Sequence, residues 1–351
     1  MRTLLLLPDK YSFSKSIEAA LNIAGAQCRY LDYRSVISNP EKRFNTQIFR
    51  FPDSLRRKWE SYYLRKINRW YIEQFEKEQP ELVFVYNNEM LLPETMKWLN
   101  QKKIKTAFYL GDNPLYTTTS RYNLAILQYA DAVFVPDSYW LMQLRRIGLP
   151  NVQMLLPSIP DHSYFPVPGI PSSEFEELKT DVLYVGMNYN DSWGYKKAKF
   201  LSFFTGFDLR IYGNKAWKRW FIFFPELENH FIERNNLIPL GRLNKMYNLA
   251  KIVPVDGNPG IMNGIHIRVI EALAAGTLPL MEWNRDMDEI FKGITDLPAV
   301  KDYRQIPETT KYFLNNESVR LKMVEHMIAA YRSKNNPVNN GDVIYKSLGL
   351  E

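Results

Sequence analysis

Val253-Pro-Val-Asp-Gly-Asn-Pro-Gly-Ile-Met-Asn263-Gly-Ile-His-Ile-Arg268-Val-Ile-Glu271-Ala-Leu-Ala-Ala-Gly276-Thr-Leu-Pro-Leu-Met281 reads as an apolar strand, a Gly/Pro/Asn loop, a helix with a glycine cap, and a second apolar strand. Two buried strands joined through a helix belong to a parallel, helix-covered sheet. Residues three apart share a helix face, so Arg268 and Glu271 project together from the first turns. With Asn263-Gly264 before it and His266 close by, the helix start offers free N–H groups and a positive dipole end to an anion. A diphosphate that also carries a sugar diol suits such a site: the arginine grips phosphate, and the glutamate accepts from two ribose hydroxyls. A salt-bridged surface helix with a glycine C-cap is the plainer reading of the same letters.

Strand and helix signals alternate outward from this stretch in both directions. Short apolar runs at 3–7, 26–32, 82–86, 106–110 and 132–135 alternate with helical patterns at 14–24, 54–79, 93–100 and 138–147. Five prolines between 157 and 172 break the pattern and suggest a linker. A second series of strands is expected at 181–185, 208–212, 237–240, 252–255 and 277–281, followed by helices near 306–314 and 318–331. The fold class is therefore α/β. In open sheets of this class, ligands sit beyond the carboxyl ends of the strands.

The run Arg268-x-x-Glu271-Ala-Leu-Ala-Ala-Gly276-Thr resembles the donor-site signature of GT-B glycosyltransferases, particularly the bacterial set grouped with spore-maturation and surface-glycan enzymes. That resemblance implies two Rossmann-like domains facing each other across a cleft. Residues 1–160 would form the acceptor-side domain, 161–178 a linker and 179–335 the nucleotide-sugar domain, with 336–351 crossing back to the first. It also implies a nucleotide-sugar co-substrate, with a UDP-sugar favoured, and no bound cofactor. Many retaining members carry a second glutamate eight residues before the ribose-binding one, where this chain has Asn263. The sequence is similar, less closely, to the bacteriophage DNA β-glucosyltransferase, an inverting GT-B enzyme. It shares the Arg-Val-x-Glu spacing, a strand ending Tyr184-Val-Gly186, and an aspartate after an N-domain strand, Asp112.

Other residues join the expected site. Gly186 opens a strand-to-helix loop followed by Lys196, Lys197 and Lys199, where glycine allows close approach to phosphate and lysine neutralises it. Lys215 and Arg242 each follow a glycine at an expected strand end, although ordinary turns use the same letters. Asp112, just past a strand of the first domain, suits a base that takes the proton of an acceptor hydroxyl. Asn113 beside it and Glu89 on the preceding loop complete the acceptor side. Asp286-x-Asp288 reads as ordinary helix-start carboxylates, and no metal site is expected. The aromatics of residues 217–224 suit either an interfacial segment or a buried loop.

Composition bounds the rest. The 351 residues carry one cysteine, which rules out an internal disulfide and suits a reducing, cytoplasmic setting. No apolar run is long enough to span a bilayer, and the N-terminal run reads as a strand rather than a signal peptide. Residues 42–70 hold nine Lys/Arg against Asp53 and Glu60, a net +7 that equals the excess of the whole chain. Such a patch should face something anionic: the inner membrane surface, a lipid-linked diphosphate, or nucleic acid. The expected function is transfer of a sugar to a hydroxyl of a bacterial surface glycan or glycolipid. The alternatives are a DNA-modifying transferase and a sugar-nucleotide-binding protein without turnover.

Overall fold

The computed structural model describes residues 1–9, 12–87, 90–116, 122–234, 236–258 and 260–350. The chain divides into two units, one of residues 1–158 with 336–351 and one of residues 159–335. Each is built on its own six-stranded sheet.

In the first unit the strands are β1 (Arg2–Leu6), β2 (Gln27–Tyr30), β3 (Leu82–Tyr86), β4 (Lys105–Tyr109), β5 (Ala132–Val135) and β6 (Val152–Met154). They pair in parallel in the order β2-β1-β3-β4-β5-β6. The central strands are apolar throughout because helices cover both faces, and Leu5, Leu6, Val83, Phe84, Phe108 and Val133 have essentially no exposure. Local chemistry fixes the helix starts: Asp137 Oδ1 accepts from the N–H groups of Tyr139 and Trp140, capping the helix Ser138–Arg146. The long helix Asp53–Glu78 has no side-chain cap; Pro52 stands at that position. Of its apolar set, Tyr63, Ile67, Tyr71 and Phe75 are buried, but Leu55 and Tyr62 are exposed. The C-terminal helix Pro337–Leu348 lies on the helix Ser12–Ile23, where Gly341 comes so close to Ala20 O that an added Cβ would stand 2.7 Å from it.

In the second unit the strands are β7 (Thr180–Val185), β8 (Leu209–Gly213), β9 (Phe231–Glu233), β10 (Ala250–Val255), β11 (Leu278–Glu282) and β12 (Ala299–Val300). All pairs are parallel, in the order β12-β11-β10-β7-β8-β9. This is the Rossmann order, in which the chain leaves the first strand to one side, returns, and builds outward on the other. The reversal lies between β7 and β10. Two expectations change here. The strand expected at 237–240 is instead β9 at 231–233, and Leu237 is 86% exposed in the following loop. A helix, Leu240–Leu249, then takes Gly241 and Arg242 into its first turn, so neither follows a strand end. The proline-rich stretch is held in place rather than loose. Asn244 Oδ1 accepts from Phe165 N at 3.1 Å, Asn248 Oδ1 accepts from Val167 N at 2.7 Å, and Ser172–Leu178 is a helix.

Candidate functional site

Beyond the strand ends at the β7/β10 reversal, where sheets of this class bind ligands, a cluster of charged and aromatic side chains is buried. β10 ends on Val255, and Asp256 follows with its carboxylate almost fully buried. Tyr184 of β7 donates its hydroxyl to Asp256 Oδ1 at 2.9 Å. Arg268 Nη1 lies 3.5 Å from the same oxygen, and Lys197 Nζ lies 3.6 Å from Oδ2. Burial alone would raise Asp256, but the Lys197 and Arg268 charges more than offset it and hold the carboxyl below the usual range. Burial pulls Lys197 below its ordinary value, against the pull of Asp256. Two cations therefore face one carboxylate.

Arg268 reaches this position from the first turn of a short helix, Arg268–Ala274. Its Nη2 donates to Val185 O at 3.0 Å, and its guanidinium lies 4.8 Å from the centre of the Tyr184 ring. Gly186 leaves room for it, since a Cβ there would stand 3.0 Å from both Arg268 Nη2 and Tyr184. Two indoles brace the Gly186 loop from behind: Trp217 Nε1 donates to Gly186 O at 3.0 Å and Trp220 Nε1 to Tyr189 O at 2.9 Å. The aromatic run at 217–224 is thus mainly a buried brace, although Phe223 remains exposed. His266 Nδ1 accepts from the Arg268 backbone N–H at 3.1 Å. Burial pushes this imidazole down to about 3, and the Arg268 charge adds to the shift. Glu271, one helical turn on, is hydrogen-bonded by the buried phenol of Tyr164, which packs on Tyr247 with ring centres 5.6 Å apart. Tyr247 in turn bonds to Arg268, so this tyrosine pair couples the arginine and the glutamate.

The expected residues divide accordingly. Gly186, His266, Arg268 and Glu271 come together. Asn263 and Gly264 precede the helix by several residues rather than starting it, and their carbonyls accept from Asp286 N and Asn284 Nδ2, both at 2.9 Å. Lys196 is bound to Glu282, with its Nζ 2.7 and 2.6 Å from the two carboxylate oxygens; the lysine that joins the buried cluster is its neighbour Lys197. Glu282 also accepts from Gly257 N at 3.0 Å. Arg242 pairs with Glu177 at 2.6 Å on the β8/β9 side, beside a cavity of about 650 Å³ that Tyr212 and Arg234 also line. Lys215 is exposed at the start of the turn after β8. Asp288 accepts from Trp283 Nε1 at 3.1 Å, and no metal-holding group of His, Cys, Asp or Glu occurs among the described residues.

In the first unit, Asp112 is exposed just past the carboxyl end of β4. Asn87, which follows β3 in the left-handed region at φ 54°, donates Nδ2 to Asp112 Oδ2 at 2.8 Å. Asn87 Oδ1 accepts from the N–H groups of Gly111 and Asp112, at 2.9 and 3.2 Å. Gly111 allows this because the Tyr86 hydroxyl occupies the place a Cβ would take. Asn113 is buried, and its Oδ1 accepts from Leu115 N, so it shapes the turn. Glu89 lies outside the described residues. Sequence reading missed Asp256 and Asn87. The letters did carry a signal for Asp256 and Asn87, since each is the first polar residue after a central apolar strand.

Solved structures share this fold along the whole chain. Sucrose-phosphate synthase from Thermosynechococcus elongatus is 12% identical, with 99% of this chain and 98% of that one covered at a TM-score of 0.65. HepE of Anabaena, solved with UDP and glucose, is 11% identical over 99% of both chains at 0.62. UDP-GlcNAc 2-epimerase from Neisseria meningitidis, bound to UDP-GlcNAc, is 10% identical over 100% of both at 0.56. Identities this low speak for the fold alone. Residues 196–343 match the family model described as Glycosyl transferase-like, and that span contains the Arg268–Glu271 helix. The chain has the GT-B fold, and its second unit is similar to glycosyl transferases. No curated protein sequence matches the chain. The likeness to the phage enzyme gains no support from these relatives.

Proposed function

We propose that this protein is a glycosyltransferase that uses a UDP-sugar and delivers the sugar to a hydroxyl of a bacterial surface glycan or glycolipid. The observation that carries the donor half is the convergence of Arg268 and Lys197 at the β7/β10 reversal, with Glu271 one turn from Arg268. Arg268 and Lys197 would oppose the charge that grows on the departing diphosphate, in a site where burial strengthens the interaction. Glu271, oriented by Tyr164, would accept from the ribose hydroxyls. Gly186 would let the phosphates approach the backbone. Asp112, held by Asn87, is the proposed base for the acceptor hydroxyl, with Asn113 shaping its turn; Asn263 gives a retaining route no carboxylate at that position. HepE and the epimerase, solved with UDP or a UDP-sugar, support the choice of uridine.

Thermal shift against UDP-, GDP- and dTDP-sugars tests the donor: UDP compounds should raise the melting temperature most, and no response to any of the three would sink the reading. Because an epimerase shares the fold, the products should be examined for an isomerised donor as well as for transfer. Asp112→Asn should retain the UDP response and lose transfer. A variant that transfers at the normal rate would remove Asp112 as the base.

A further inference from the structure

Residues 39–78 of the first unit form a helical hairpin: helix Asn39–Gln47, the turn Ile48–Arg50, and the long helix Asp53–Glu78. Polar and aromatic contacts staple it shut. Lys66 Nζ binds both oxygens of Glu41 at 2.8 and 2.9 Å, and Trp59 Nε1 donates to Asn45 Oδ1 at 3.0 Å. Phe44 packs edge-on against Trp59, with ring centres 4.6 Å apart, and tilted against Phe51 at 5.6 Å.

The tip of this rigid hairpin is apolar and uncovered. Phe49 is 65% exposed, Phe51 41% and Leu55 42%. Arg43, Arg50, Arg56, Arg57 and Lys58 surround them, all exposed. Asp53 is the one acid between residues 42 and 59, and Arg56 and Arg57 both pair with it at 2.5 Å. Exposed aromatics ringed by cations fit one environment better than water. Aromatic side chains enter the boundary between headgroups and acyl chains while arginine and lysine engage anionic headgroups. Neither signal holds a protein on a membrane alone, but the two together do. No helix among the described residues is long and apolar enough to cross a bilayer, so the contact would be peripheral. A nucleic acid would instead want a basic groove that follows its backbone, and a convex tip carrying Leu55 offers none.

We propose that this tip docks the enzyme on an anionic lipid surface, with Phe49, Phe51 and Leu55 entering the interface and the surrounding cations on headgroups. The inference goes beyond the donor reading and does not depend on it, since docking needs neither donor nor acceptor. The test is co-sedimentation of the full chain at physiological salt with vesicles of phosphatidylcholine alone, and with vesicles half phosphatidylglycerol. The wild type should bind the anionic vesicles only. Reversing Arg43, Arg50 and Lys58 to Glu should weaken binding about a hundredfold, at about fivefold per engaged cation. Phe49→Ser with Phe51→Ser should weaken it as well. Both variants should keep the wild-type circular dichroism and the same response to UDP. Equal binding to neutral vesicles, no binding to either kind, or full binding by either variant would overturn the proposal. A duplex shifted with steep salt dependence, alongside indifference to vesicles, would overturn it in favour of nucleic acid.

Discussion

Arg268 balances Asp256 and is also the proposed donor contact, so truncating it confounds two effects. Arg268→Ala leaves Asp256 with Lys197 as its one cationic partner in a buried place, and breaking such a pair costs about 3–5 kcal/mol of stability. Arg268→Lys separates the effects. It keeps one positive charge but cannot hold Val185 O and Asp256 together through a planar fork. The expected outcome is a folded protein whose kcat/KM for donor falls by about a hundredfold or more, as for loss of one transition-state contact. Turnover within a few-fold of wild type would remove Arg268 from the site. Glu271→Ala should weaken UDP in calorimetric titration and leave folding intact; unchanged affinity would make Glu271 a partner of Tyr164 alone. His266 sets a pH limit. Its Nδ1 must stay unprotonated to accept the Arg268 N–H, and burial holds its folded pKa near 3. The unfolded chain takes up that proton near the ordinary value, about 6.5. Between these values the unfolded state binds more protons, so stability is full above about 6.5 and is lost as pH falls toward 3. His266→Asn, which keeps an acceptor and has no proton to gain, should flatten the fall in melting temperature between pH 6.5 and 4. An unchanged slope would assign that fall to other groups.

Among the elements, the helix Ser192–Ser202 shows how tightly the Gly186 loop is held. Gly194 stands in its first turn, where a Cβ would meet Tyr189 O at 2.1 Å and Trp220 Nε1 at 2.6 Å. Gly194→Ala should therefore push the loop from its brace and lower UDP affinity in titration, with little change in helix content. Normal affinity would mean the loop is not part of the donor site. The same elements show what could be read from the letters alone. Strands β1, β3, β4, β7, β10 and β11 are legible because burial on both faces makes each a continuous apolar run. β9 is not, because its Phe231-Ile232-Glu233 is short, lies at the sheet edge and is only half-buried, while the exposed Leu237 imitates a core residue. Arg268 and Glu271 were legible from their spacing. The partners that orient them were not, because Asp256, Lys197 and Tyr164 lie far from them in sequence or are single letters with no period. The letters do not separate Lys196 from Lys197, whereas the turn of the helix points Lys197 inward and leaves Lys196 to Glu282.

For the whole molecule the telling fact is that the last helix belongs to the first unit. Pro337–Leu348 lies on Ser12–Ile23, where Gly341 allows contact with Ala20. Asn340 Nδ2 donates to Leu156 O at 2.9 Å, and Asn151 Nδ2 donates to Ser347 O at 2.6 Å. Ile344 and Leu348 are buried there. Deleting residues 336–351 therefore uncovers apolar surface and strips partners from the first sheet's helical layer, while every strand of the second unit is left in place. Burying two large aliphatic side chains stabilises by about 1.5–3 kcal/mol each, so the loss should fall on one unit. Scanning calorimetry of the truncated chain should show one transition moved down and a second kept near its wild-type temperature. If the donor reading holds, saturating UDP raises only the second, because a ligand stabilises the unit that binds it. Two transitions that fall together would mean the units unfold as one. A UDP response in the lowered transition would place the nucleotide with the first sheet and overturn the assignment of the donor to Arg268.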